Sequence, residues 1–356
     1  MVASYPTMGD VFDGRYELVD ALSAGLWRAW DGQDRVYLAC QRVEDAPSSL
    51  GALLARIPST SAHLAVPVTC SGAGGGTALV LSPLVGGQLL SDRLASREPI
   101  DVDNALEITD QLLAALAVLH GAGLVHRNIA DHVVMLRAGR RPHVILGGLG
   151  GVAEAPDGRS TRALGPAVGT PGYMSFEAFS GAAPEPAQDL YSVGALLVQM
   201  LTGRRPSAGA VARGGAEVPA HYRDTPVGDF LAHLLATASA RIGSASAARA
   251  ELAAVRTALT AQLPQEGPQA RFAAPFIVED GTPPLPADWG LDGPLPARVS
   301  EHLIHVVRTP EPGDTGRPAT TADGRPPARR SSGRWALAGV LLCALTAVLL
   351  LVMWLS

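Results

Sequence analysis

GTPGYMSFEAFSGAAPEPAQDLYSVGALLVQMLTGRRP, residues 169–206, is the stretch that decides the fold. Its second half, DLYSVGALLVQMLTG (189–203), carries apolar residues at helical recurrence and predicts a helix. Working backwards, DVDNALEITDQLLAALAVLHGAG (101–123) predicts another, ended at Gly121 and Gly123. Working forwards, the Ala-rich SASAARAELAAVRTALTAQL (244–263) predicts a third. The first quarter differs: RYELVDAL (15–22), RVYLACQRV (35–43) and TALVLSPL (77–84) are short β-like runs separated by turns. Strands first and helices afterwards predict an α+β protein of two lobes, spanning residues 13–262.

The order and spacing of these pieces resemble the bacterial serine/threonine protein kinases of eukaryotic type. GTPGYMSFE (169–177) looks like that family's GTPGYMSPE at the end of the activation segment. DLYSVGALLVQMLTGRRP (189–206) is similar to its buried helix, with the Asp, the small residues and the closing LTGRxP. LVHRNI (124–129) resembles the LxHRDL catalytic loop, DGRYELVDAL (13–22) the start of the small lobe, and LVLSPLVGGQLLSDRL (79–94) the hinge and the helix after it. The resemblance implies a bilobal protein-kinase-like fold, with a β-rich N-lobe at 13–83 and an α-helical C-lobe at 84–262.

It also implies a list of chemical groups, because phosphoryl transfer in this family is mostly positioning and charge stabilisation. After Leu22, where the family has its glycine-rich loop, the chain runs SAGLWRAWDG with only Gly25 before the next turn. Without glycines the backbone cannot approach phosphate closely. The family's strand lysine falls on Gln41 in LACQ (38–41); Arg42 is adjacent, but neighbouring strand residues face opposite ways. SSLGALLARI (48–57), where the glutamate that holds that lysine is expected, contains no acid. In the catalytic loop the H-R-D Asp falls on Asn128, the downstream lysine on Ala130 and the metal-binding Asn on Val133. The D-F-G Asp falls on Gly148 in HVILGGLGGVA. Asp131, three residues beyond Asn128, is the acid that could have moved in as a replacement base.

Other family positions are kept. His126 and Arg127 retain the start of H-R-D, Asp189 matches the Asp that braces the catalytic loop through backbone N–H groups, and Glu177 matches the Glu of A-P-E. Arg241 in ATASARIGSAS is placed to pair with Glu177. Phe176 replaces the proline of S-P-E. Ser160 and Thr161, in GRSTRALGPAVGT (158–170), are candidate phosphosites whose phosphate Arg127 could bind. A flexible, unmodified loop is the plainer reading of the same residues.

Composition bounds the rest. The 356-residue chain is 47% apolar and 17% charged, with a net charge of −5, so it lacks the basic balance of a nucleic-acid binder. It contains no lysine at all, so the 28 basic residues are arginine, in the style of a GC-rich genome. Cys40, Cys70 and Cys343 show no metal-ligand spacing, and no structural metal is expected. Residues 263–334 are rich in Pro and Gly and predict a largely disordered linker. Two apolar islands, RFAAPFIV (271–278) and VSEHLIHVV (299–307), could be incidental or could dock back.

The run WALAGVLLCALTAVLLLVMWL (335–355) is uncharged and long enough to cross a bilayer. Arg325, Arg329, Arg330 and Arg334 precede it, so the positive-inside rule puts the N-terminal domain in the cytoplasm, on a single-pass membrane protein. Taken together, the sequence predicts a pseudokinase, not an enzyme, with no cofactor. It would be a signalling scaffold or regulator at the membrane face, with a protein partner such as an active kinase or a phospho-reader and no nucleic acid. Two alternatives stand beside it: a switch that binds nucleotide without turnover, and an atypical active serine/threonine kinase using ATP and magnesium.

Overall fold

The computed structural model describes residues 7–23, 25–59, 61–72, 76–155, 168–207, 216–262 and 276–295. The N-lobe is one antiparallel six-stranded sheet. Its strands are β1 (Val11–Phe12), β2 (Tyr16–Ser23), β3 (Leu26–Asp31), β4 (Val36–Val43), β5 (Thr69–Ser71) and β6 (Ala78–Pro83), with spatial order β1-β2-β3-β4-β6-β5. Alternation along the strands separates two faces. Tyr16, Leu18, Ala29, Leu38, Cys40, Leu79 and Leu81 bury one of them. Register puts Arg28 opposite Ala39, Trp30 opposite Tyr37 and Leu26 opposite Gln41, so these residues share the other face. A short helix, α1 (Leu50–Leu54), interrupts the strands and buries Leu50 and Leu54.

The C-lobe begins with β7 (Gly87–Leu89), α2 (Leu90–Arg93) and the long α3 (Val102–Gly121), whose N-cap Asp101 accepts a hydrogen bond from Asn104 N–H. β8 (Leu124–Val125), β9 (Val134–Arg137), β10 (Val144–Leu146) and β11 (Ala153–Glu154) follow, β7, β9 and β10 forming one small sheet and β8 and β11 another. Next come α4 (Phe176–Phe179), α5 (Pro186–Thr202), α6 (Pro226–Leu235) and α7 (Ala245–Gln262). α5 starts on Pro186, whose missing N–H costs nothing there, and stops at Gly203 in a left-handed conformation. It is the centre of the lobe: Leu190, Val193, Leu196, Leu197 and Met200 pack against Leu106, Ile108, Leu112 and Leu116 of α3 in one continuous core. Burying each such side chain contributes about 1.5–3 kcal/mol.

One stretch expected inside a disordered linker is part of the folded body. Residues 276–295 end in a small hairpin of β12 (Trp289–Gly290) and β13 (Gly293–Pro294), and Phe276, Val278 and Trp289 are buried. Proline-rich composition misled here because the segment is held by backbone hydrogen bonds and single anchors, which leave no periodic signal. The island at 299–307 and the apolar run 335–355 lie outside the described residues, as do Ser160 and Thr161. Among the described residues no helix is long and apolar enough to cross a membrane.

Candidate functional site

The site is built from below by Asp189, in the first turn of α5 and only 1% exposed. Its carboxylate accepts hydrogen bonds from His126 N–H (2.8 Å), Arg127 N–H (2.8 Å) and His120 Nε2 (2.9 Å). His126 is fully buried, and burial, partly opposed by the nearby Asp189 charge, pushes its imidazole pKa down. It is therefore neutral, donating from Nε2 to Gly147 O at 2.8 Å and accepting from Asn128 N–H at Nδ1. These bonds hold Arg127 in a left-handed conformation, with φ of 70°, uncommon for a residue with a Cβ. Strain of that kind collects where a loop is over-determined by its surroundings. Burial lowers the pKa of the Arg127 guanidinium as well, and among the described residues no carboxylate pairs with it.

Asn128 sits at the tip of this frame, half-buried, and its Oδ1 accepts a hydrogen bond from Thr170 Oγ1 at 2.7 Å. The amide is thereby tied to the first residues of GTPGYM. Ala130 is fully buried, and its side chain has no polar atom to offer. Asp131 turns to the other side of the loop. It is 3% exposed, with Oδ2 accepting from Gln199 Nε2 (3.0 Å) and Oδ1 from Arg205 Nη2 (3.0 Å). Burial would raise its carboxyl, but the bonds from His132 and Gln199 and the Arg205 charge hold it down to about 2. A carboxylate so acidic and so engaged is a poor base, which removes Asp131 as the replacement acid. It lines instead a cavity of about 500 Å³ with Ser91, Leu94, Arg97, Arg204 and Arg205.

On the opposite wall, Gln41 of β4 accepts a hydrogen bond from Gly150 N–H at 3.3 Å. Gly150 lies so close to the strand that a Cβ on it would stand 2.3 Å from Val43 Cγ2. Gly148 adopts a left-handed conformation (φ 72°), and a Cβ there would stand 2.6 Å from Val133 Cγ1. The two positions that the resemblance gives to metal ligands are thus packed against each other. Magnesium needs oxygen ligands, and these side chains supply none, so the residues present do not fit a protein-held magnesium ion. Above the cleft, Ser23 pairs with Leu26, leaving Ala24 and Gly25 as the whole connection between β2 and β3. At the base of the activation segment, Arg241 Nη1 donates to Glu177 Oε1 at 2.5 Å and to Ala187 O at 2.9 Å. Arg241 also donates twice to Ala236 O.

Sequence reasoning had no means of finding the contacts of Gln41 with Gly150, of Val133 with Gly148, or of Asp131 with Gln199. Each joins elements 15 to 109 positions apart. The His120 contact with Asp189 had one available signal, a histidine in the last turn of α3.

Residues 75–221 match the family model described as protein kinase domain. The chain is 28% identical to serine/threonine-protein kinase PknA of Mycobacterium tuberculosis, over 98% of this chain and 83% of that protein. Serine/threonine-protein kinase pkn3 of Myxococcus xanthus is 32% identical over 37% of this chain and 25% of its own length. PksC of Streptomyces coelicolor, a serine/threonine-protein kinase, is 35% identical over 34% and 21%. These matches overturn the expectation that the chain is not an enzyme, since the family model and the relatives point to a protein kinase enzyme. In fold and in sequence the chain is thus similar to bacterial serine/threonine protein kinases, with the protein kinase domain model matching residues 75–221.

Proposed function

We propose that the protein is a serine/threonine protein kinase of slow turnover, using ATP and working at a membrane surface. The observation that carries this reading is the Asp189 frame. It presents Asn128 at the family's base position and ties it to Thr170 of the activation segment. With Oδ1 occupied, the amide offers its Nδ2–H to a substrate hydroxyl. It can orient that hydroxyl but cannot take its proton, which passes instead to an oxygen of the phosphoryl group being transferred. A general base is worth roughly 10²–10⁴ in rate, and kinases turn over at about 1–100 s⁻¹, so kcat should centre on about 10⁻² s⁻¹, within bounds of about 10⁻⁴ and 1 s⁻¹. Positioning alone still lowers the barrier substantially, because it removes entropy from the reacting pair.

The same reading puts the domain on the cytoplasmic side, tethered through 335–355, with protein substrates or partners, and makes Ser160 and Thr161 candidate phosphosites whose phosphate would suit the Arg127 guanidinium. What supports it is the apolar run, the arginines before it and the kinase names of the relatives. The test is phosphate transfer from labelled ATP by the full chain, with magnesium or manganese, to a generic protein substrate and to itself. Slow transfer that Asn128→Asp raises tenfold or more is the expected result. No transfer by either protein, at enzyme concentrations where one turnover per hour is visible, would overturn it.

A further inference from the structure

Residues 276–295 grip both lobes across the hinge. On the C-lobe side, the Phe276 ring lies 5.7 Å from the Arg93 guanidinium of α2, and Val278 exchanges two backbone hydrogen bonds of 2.9 Å with Gly139 in the β9–β10 turn. At the hinge, Asp280 Oδ1 accepts from Gly87 N–H at 3.0 Å, and Gly281 N–H donates to Gly87 O at 3.0 Å. Asp280 is itself steadied by Thr282, whose hydroxyl and N–H both donate to it.

On the N-lobe side, Arg28 Nη2 donates to Pro283 O at 2.5 Å, Tyr37 Oη to Gly290 O at 2.5 Å, and Arg35 Nη2 to Asp292 O at 2.8 Å. Trp289, 4% exposed, forms an aromatic triangle with Trp30 and Tyr37, with ring centroids 4.8–6.3 Å apart. Gly293 lies flat on the Trp30 indole, where a Cβ would stand 2.6 Å from Cζ2.

The face so covered matters. Arg28, Trp30 and Tyr37 lie on the same side of the sheet as Gln41, and Gln41 reaches down to Gly150 of the C-lobe. The segment therefore lies along the cleft-facing side of β3 and β4, at the end nearest the hinge. β6 runs straight into that hinge, and only Leu84, Val85 and Gly86 separate it from β7. A chain fixed at Gly139 and Gly87 below, and at Arg28, Tyr37 and Trp30 above, spans the Leu84–Gly86 connection between the lobes.

We propose that residues 276–295 are a clasp that sets the angle between the lobes, and with it the seating of Gln41 on Gly150. Releasing either end frees the other, because the two anchors share one short covalent span of two residues between Asp280 and Pro283. The clasp is independent of whether phosphate is transferred.

The experiment is hydrogen exchange with mass spectrometry on the full chain, comparing the native protein with Asp280→Ala and with Trp289→Ala. Asp280 is exposed, so its truncation leaves the core intact. Peptides from α5 report whether each variant is folded. The expected result for Asp280→Ala is exchange at least tenfold faster at the hinge, at the distant Trp289–Pro294 hairpin and at the Gly150 amide, with α5 unchanged. Trp289→Ala should in turn speed exchange at Gly87. Faster exchange confined to the residues adjoining each substitution, with the Gly150 amide unmoved, would overturn the proposal.

Discussion

Replacing Glu177 by alanine should destabilise the whole C-lobe, and the size of the loss follows from what surrounds Arg241. The Arg241 side chain is 2% exposed and that of Glu177 22%, so most of the pair is out of water. Breaking a buried pair by removing one partner costs about 3–5 kcal/mol, since the survivor is left charged and uncompensated. Arg241 would keep the Ala187 and Ala236 carbonyls and its place 5.1 Å over the Tyr191 ring, which argues for the low end, about 3 kcal/mol. For a domain of this size 1 kcal/mol moves Tm by about 2–4 °C, so Glu177→Ala should melt roughly 6–12 °C lower at pH 7. The pH dependence has a definite sign. Burial would raise the Glu177 carboxyl, but the hydrogen bond and charge of Arg241, with help from Ser175, hold it below its ordinary 4.5. A depressed carboxyl stabilises fully above its unfolded pKa and loses that contribution as pH falls through the folded one. Calorimetry at pH 7 and at pH 3 should therefore show a large difference between native and variant protein that shrinks in acid. A Tm change below about 2 °C at pH 7, or an equal loss at both pH values, would refute the reasoning.

Gly148→Asp, which would restore an acid at that position, should lower stability by about 2–4 kcal/mol, from a positive φ and a collision with Val133, and adding Val133→Asn should recover part of it; thermal melts of the single and double variants check this. Asp131→Ala leaves the Gln199 amide, 3% exposed, without its acceptor and should cost about 1–3 kcal/mol, whereas Arg205 can turn to water. Because the Asp131 carboxyl is held at about 2 against an ordinary 3.8, that cost should be full above pH 4 and fade as pH approaches 2, and an undiminished loss at pH 2 would contradict the assignment. Asn128→Ala, which breaks only the bond to Thr170, should cost about 0.5–1.5 kcal/mol in denaturant titration, and a loss above 3 kcal/mol would mean that Asn128 supports more than this loop.

Helices were legible in the sequence because burial imposes a period. The runs at 101–123, 189–203 and 244–263 appear as Val102–Gly121, Pro186–Thr202 and Ala245–Gln262. Strands at 15–22, 35–43 and 77–84 appear within a residue or two of their expected ends. β3 was harder: SAGLWRAWDG invites a reading as an altered loop, and only pairing with β2 and β4 makes Leu26–Asp31 a strand. Family positions pointed to Asp189, Glu177 and Arg241, since these keep residue types that only a specific partner explains. The direction of Asp131 was not legible, because the sequence does not say to which side of a loop a carboxylate turns. Nor was the clasp, whose anchors are carbonyl oxygens of Pro283, Gly290 and Asp292, atoms that every residue has.

Asp189 has a consequence for engineering. The loop that carries Asn128 is bolted from the core side, by a carboxylate gripping backbone N–H groups, and its cleft side bears little of the load. Side chains at the tip can therefore be exchanged while the mounting stays in register. The domain should behave as a socket: new acids, amides or metal-binding groups placed at 128 would inherit a ready-made position, and their chemistry could be compared on one unchanging frame.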